Sequence, residues 1–227
     1  MSYYQRYETR EYTGYDIKTE AYRHLGMAFV LSTIVVSIMI YLDVPLLLYY
    51  IGSFGEFVII LVLLFGGLFR VNFSESTATI LLYSFATCSS ITLSLLVWIG
   101  LALDPLIVAG PVGITTVVTL GAYYFSGQTY EKLGSLSKIA TILVIIFLIV
   151  GLLGLFFLSN DPVFYLLISA FGAGIFSLYL FIDMARLENR AFSSPALMAL
   201  WIFYDIIYLL KELLYIFIYL FGFSRKD

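Results

Sequence analysis

Five ionisable side chains lie within stretches of sequence that are otherwise apolar: Glu56, Asp183, Asp205, Lys211 and Glu212. Groups of this kind are costly to hold away from water, so each is expected to have a partner or a task. Two acids brought together in a dry site cannot both ionise cheaply, and they titrate as a unit that shares a proton. Asp183 and Asp205 suit that chemistry. They flank a short polar segment, from about Arg186 to Ser194, that would join two antiparallel helices and bring both carboxylates to similar depth. The local alternative pairs Asp183 with Arg186, three residues along its own helix, and leaves Asp205 to a neighbouring hydroxyl. Asp205 and Glu212 are seven apart and share a helical stripe, while Lys211 points about 100° away from Glu212. Glu56 reads as an acid hydrogen-bonded inside a bundle; Arg70, about four turns on, is too far along the same helix to pair with it directly. Nucleophilic and metal catalysis lack parts, because His24 and Cys88 are the only residues of their types and lie at opposite ends of the expected bundle. The chain is therefore not expected to be an enzyme or to carry a cofactor.

The elements that must position these groups follow from composition. Of the 227 residues, 62% are hydrophobic and 12% charged, with a mean hydropathy of +1.00. An ordinary soluble domain is about 45–50% apolar and about 25% charged. Seven bilayer-spanning helices of about 20 residues would use nearly all the apolar side chains present. A soluble enzyme is excluded. So is a nucleic-acid binder, since 12 Lys and Arg against 15 Asp and Glu give no basic surface. Apolar runs fall at about 25–42, 46–69, 76–103, 105–125, 136–158, 163–185 and 197–221, with a polar tail at 1–23 and a short one at 223–227. The single transmembrane domain is thus expected over 24–222. Asp104-Pro105, Asp161-Pro162 and Ser194-Pro195 each place an N-cap acceptor before a proline at the first helical position, and Asp43-Val44-Pro45 is a looser version. The runs lack period-2 alternation, which excludes a closed barrel. Pro111, within the fourth run, predicts a kink or a break that either packs tightly or exposes carbonyls to a cavity. Cys88 reads as a small packing residue. His24 reads as interfacial, although imidazole chemistry would also suit a pH sensor. The polar N-terminus lacks the apolar core and cleavage site of a signal peptide.

Charge sets the orientation. Arg6, Arg10, Lys18, Arg23, Arg70, Lys132, Lys138, Arg186 and Arg190 fall on one side; only Arg225 and Lys226 fall on the other. Nine bases against two predict a cytoplasmic N-terminus and an external C-terminus. Asp43, Asp104 and Asp161 then lie outside, either as a weakly anionic mouth that concentrates cations or simply as helix caps.

The segment Phe176-Ser177-Leu178-Tyr179-Leu180-Phe181-Ile182-Asp183, a polar loop, Pro195-Ala196-Leu197-Met198-Ala199-Leu200 and then Tyr204-Asp205-Ile206-Ile207-Tyr208-Leu209 resembles the Bax inhibitor-1 family. The likeness is strongest over 176–222, with Glu56 and Ser84 to Leu93 collinear upstream. The resemblance implies an all-α integral membrane protein of seven transmembrane helices, six in two three-helix layers around a central C-terminal helix. It also implies a proton-sharing aspartate pair at Asp183 and Asp205, a second-helix acid at Glu56, and a pH-sensitive calcium leak of the prokaryotic type. An arginine partner near the inner end of the second helix would have to be Arg70, which lies further from Glu56 than such a latch requires. Lys211-Glu212 has no counterpart in the pattern.

On this reading Asp183 and Asp205 are sensor and gate, Glu56 and Glu212 are acidic contacts on the cation pathway, and Arg70, Arg186 and Lys211 are the available charge partners. Calcium wants six to eight oxygens. Asp183, Asp205 and Glu56 would hold it only in passing, as conduction requires. Repulsion between two ionised aspartates argues for opening as pH rises; the resemblance implies that acid favours the open state, if a nearby base latches the charged pair. A proton-coupled cation transporter is the alternative, weakened by the lack of inverted repeats. A non-transporting regulatory protein acting through its Tyr-rich tail, Ser2-Tyr3-Tyr4 to Tyr15, is a third. A retinal protein is disfavoured: microbial rhodopsins place an aspartate four residues before the lysine, whereas Asp205 precedes Lys211 by six, and the third run has no central counter-ion. The expected partners are the bilayer, calcium ions and protons; no protein partner is specified, a monomer is the default, and a prokaryotic plasma membrane is the expected location.

Overall fold

The computed structural model describes residues 14–42, 44–68, 73–126, 133–157, 162–189 and 194–222. Among them are seven helices: α1 (Gly14–Tyr41), α2 (Leu46–Leu68), α3 (Glu75–Leu103), α4 (Pro105–Phe125), α5 (Leu133–Phe157), α6 (Pro162–Glu188) and α7 (Pro195–Gly222). The helix starts are where proline and cap chemistry place them. Pro105, Pro162 and Pro195 open α4, α6 and α7, and Pro45 immediately precedes α2. The Leu106 amide donates to Asp104 Oδ1 at 2.9 Å, so Asp104 serves as a cap. Asp43 and Asp161 lie outside the described residues. The α1 helix begins at Gly14, so the polar stretch before the first apolar run is itself helical in its last turns.

The helix remains continuous through Pro111, so the expected break does not occur; Pro111 is buried against its neighbours, which is the packing alternative. Among the described residues, five helices are long and apolar enough to cross a membrane. A shorter apolar stretch, Leu136–Phe147, lies in α5, and α7 has the length, at 28 residues, but carries Asp205, Lys211 and Glu212.

The helices form two layers. In one, α3 lies between α1 and α2; in the other, α6 lies between α4 and α5; α7 threads between the layers and packs against α1, α3, α4 and α6. The α2 and α5 helices thus lean on α3 and α6 rather than on α7. Centrality explains why α7 can hold three charges: Asp205 and Lys211 are both buried and so avoid lipid. One end of the bundle gathers the starts of α1, α3, α5 and α7 with the finish of α6, as contacts of Lys18 with Glu188, of Glu75 with Ser194 and of Arg186 with Ser137 require. We refer to it as the N-terminal end.

Close approach of α2 to α3 depends on two glycines. A Cβ on Gly52 would fall 2.7 Å from Ile91 Cγ2, and one on Gly55 would fall 2.7 Å from Cys88 Sγ. No side chain fits there, so the backbones come together and the next residue, Glu56, is carried into the bundle. Cys88, a free thiol, is a packing residue in this contact.

Candidate functional site

Charged groups collect in two places along α7. The first surrounds Asp205. Both Asp205, 2% exposed, and Asp183, 3% exposed, are buried, on α7 and α6, near enough for their charges to act on each other. Asp183 Oδ1 accepts from Arg186 Nη1 at 2.9 Å, the i,i+3 pairing along α6 that was the local alternative. The other guanidinium nitrogen of Arg186 donates to Ser137 Oγ on α5 at 2.8 Å, so this ion pair also ties α5 to α6. Asp205 does not receive the hydroxyl that the local alternative offered to its second oxygen: Oδ2 is buried with no hydrogen-bond partner. An acceptor left bare in a dry interior costs on the order of 1–3 kcal/mol. A proton on that oxygen, or an incoming cation, would satisfy it.

The second cluster lies six residues further along α7, about 9 Å at helical rise. Lys211 Nζ is 2.6 Å from Glu56 Oε1 and donates to Thr92 Oγ1 at 2.7 Å. Thr92 Oγ1 is in turn 2.8 Å from Glu56 Oε2. The three residues come from α7, α2 and α3 and close a triangle in which each group has partners, and the Lys211 ammonium also sits 4.9 Å above the centre of the Tyr208 ring. Hydrogen bonding of this completeness is what allows a buried ion pair to persist. Glu212, one residue on, turns to a different helix, against Gly172 of α6, where an added Cβ would lie 3.1 Å from its carboxyl carbon.

An aromatic layer separates the clusters. Tyr204 and Tyr208 of α7 lie 4.6 Å apart between ring centres, with Phe176 of α6 5.1 Å from Tyr208 and Phe85 of α3 5.5 Å from Tyr204. The rings put mostly apolar surface between the clusters, and the Tyr208 side chain also hydrogen-bonds Glu56.

Glu56 is therefore not part of the Asp183–Asp205 group, because Lys211 occupies it. Among the described residues no set of three His, Cys, Asp or Glu side chains could hold a metal ion. Arg70 lies outside the described residues. Sequence reasoning named Lys211 as an available charge partner without saying for which acid, and it missed Thr92; with Thr87, Ser89, Ser90 and Ser94 in the same run, a hydroxyl carries no signal of which helix it will face. Also unanticipated were the ties at the N-terminal end. Lys18 of α1 lies 2.5 Å from Glu188 Oε2 of α6, whose Oε1 accepts from the Tyr22 hydroxyl at 3.3 Å. His24 of α1 places Nδ1 3.1 Å from the Tyr83 hydroxyl of α3, which gives the interfacial histidine a partner.

Comparison with known proteins adds two findings. A family model described as inhibitor of apoptosis-promoting Bax1 matches residues 16–222. An uncharacterized protein of Campylobacter jejuni, Cj0236c, is 30% identical over 171 residues, covering 73% of each chain.

Proposed function

The chain belongs to the Bax inhibitor-1 family, and we propose that it is a pH-sensitive calcium leak gated by Asp183 and Asp205. One observation carries this reading: Asp205 Oδ2 is buried without a hydrogen-bond partner, within reach of the charge of a second buried acid. A purely structural aspartate would have its oxygens satisfied. Calcium is the ion that the family resemblance implies, and it is the cargo here, not a resident cofactor; no enzymatic step is involved.

In this mechanism the ionised Asp183 is latched by Arg186, which also grips Ser137 of α5. Acid delivers a proton to the aspartate pair, the attraction that fixes the Arg186 side chain falls, and its hold on Ser137 of α5 loosens, which frees α6. The sign follows: with a base already on the pair, acidification unlatches, whereas repulsion between two bare aspartates would have opened the path at high pH. Release of α6 lets α7 shift and the aromatic layer part. A calcium ion then meets Glu56 and Glu212 as successive acidic contacts, and the Lys211 ammonium must leave Glu56 for the first of them to act. Calcium passing such acids in a partly hydrated form is held loosely enough to leave again.

The test is calcium flux into proteoliposomes between about pH 6 and pH 8 for wild type, Asp183→Asn and Asp205→Asn, because a proton shared by two close carboxylates is the titrating group in the proposal. Wild-type flux should rise as pH falls, and either amide should flatten that dependence. A pH response intact in both variants would remove the pair as sensor.

A second reading, a proton-coupled cation transporter, is favoured by the Glu56–Lys211 pair, since an incoming cation would exchange with a charge already in place. Proton counterflow measured with calcium would separate the two: a leak moves calcium without it. We place the protein in a prokaryotic plasma membrane, in keeping with its bacterial relative, with the N-terminus in the cytoplasm as nine bases against two require. Reporter fusions at the two termini should be active on opposite sides of the membrane.

A further inference from the structure

The start of α7 is capped by a residue from another helix. Pro195, the first residue, has no N–H to satisfy. The Leu197 amide donates to Ser194 Oγ at 3.1 Å, and the Met198 amide donates to the Ser194 carbonyl at 3.2 Å. That leaves the Ala196 amide, which donates to Glu75 Oε1 at 3.1 Å. The Ser194 hydroxyl donates to Glu75 Oε2 at 2.6 Å. Both carboxylate oxygens are thus committed to one helix start, 119 and 121 positions away in sequence.

By contrast, the other described caps are local. Ser74 takes the Thr77 amide at 3.2 Å, and Asp104 takes Leu106. Glu75 is itself the first residue of α3, so it moves with that helix. On its other side His24 Nε2 of α1 lies 3.7 Å from Oε1.

We infer that Glu75 is the positioning residue of α7: its two-pronged hold on Ser194 and Ala196 sets the axial register of the helix relative to α3. A carboxylate at a helix start is held both by hydrogen bonds and by the positive end of the helix dipole. Register matters because α7 is a stiff rod. Asp205 is ten residues on and Lys211 sixteen, about 15 Å and about 24 Å along the axis. A slide of α7 past α3 would separate Asp205 from Asp183 and Lys211 from Glu56 together. Glu75 thereby connects the inner end of α3 to both charged clusters without touching either. That functional consequence rests on the proposed leak; the register does not.

The register can be read at the far end of α7. A Cβ on Gly222 of α7 would lie 2.8 Å from Leu103 Cδ1 of α3. In full-length protein carrying Cys88→Ser, the pair Leu103→Cys and Gly222→Cys should therefore cross-link rapidly under mild oxidation. Adding Glu75→Ala should slow the cross-link about fivefold, the factor expected from loss of one helix cap. Glu75→Gln, whose amide oxygen still accepts from Ala196, should restore the parent rate. A Glu75→Ala protein that cross-links at the parent rate overturns the inference. If that variant fails to fold, Glu75→Asp, which keeps the charge but is one methylene shorter, is read instead: slower cross-linking supports the hold and an unchanged rate overturns it. In vesicles, the calcium pH profile should shift with Glu75→Ala and recover with Glu75→Gln. A profile that stays put while cross-linking slows would reduce Glu75 to a cap with no bearing on the aspartates. Absence of flux in wild type would remove the leak and leave the cross-linking result to decide the register.

Discussion

At Glu56 and Lys211 two opposite charges have been taken out of water and made to depend on each other. Neither residue is more than 7% exposed, and Thr92 hydrogen-bonds both of them. Removing one partner strands the other, and breaking a buried pair of this kind costs about 3–5 kcal/mol. Lys211→Met and Glu56→Gln should therefore each lower the unfolding temperature in detergent. The double variant, with no charge left to strand, should lose less than either single one. Additive losses would show that the two side chains act independently despite their 2.6 Å contact. Thr92→Val would test the third corner, since its hydroxyl touches both charged groups.

The position of Glu56 depends on how α2 meets α3. Gly55→Ala places a methyl 2.7 Å from Cys88 Sγ, and overpacking of this sort costs about 1–3 kcal/mol. Cys88→Ala in the same chain removes the sulfur and leaves only the Cys88 Cβ, 3.7 Å from the new methyl, which is ordinary contact. The double variant should recover most of the stability lost by Gly55→Ala, and a loss that persists would mean that the clash lies elsewhere. The helices themselves were legible in the sequence because proline and N-cap signals act over a few residues. The seven runs, Pro105, Pro162 and Pro195 as openings, and the burial of Asp183 and Asp205 all follow from local chemistry and the high cost of charge in lipid. Pairings were not legible. Lys211 meets Glu56 across 155 positions and Ser194 meets Glu75 across 119. A hydrophobic run reveals which residues avoid water, but in a helix buried on several sides it does not reveal which neighbour each face will meet. Pro111 followed the packing alternative: it lies on the one buried face of α4, with Ile107, Thr115 and Ala122, while Leu106, Val117 and Leu120 on the rest of the helix are exposed.

Over the whole molecule, the two layers meet through α7, through the α3–α4 contact, and through side chains at the N-terminal end. There Lys18 and Tyr22 of the first layer reach Glu188 of the second. If the layers part during opening of the proposed leak, Lys18→Glu should increase calcium flux at neutral pH by setting two carboxylates against each other. The exchange Lys18→Glu with Glu188→Lys should return it to the wild-type level. Wild-type leak in the single variant would mean that the layers are not held there. The placement of α7 also bears on how the protein is made. The innermost helix is the last of the seven to be synthesised, so the earlier six must reach the bilayer around a vacancy. Its three charges make it a poor candidate for insertion alone, since a single Asp, Lys or Arg at the centre of a helix costs about 2.5–3.5 kcal/mol at the translocon. Glu56 and Thr92, already in the membrane by then, supply the partners that make insertion of Lys211 favourable. The contact between Lys211 and Glu56 is thus one that the final segment can make only as it enters.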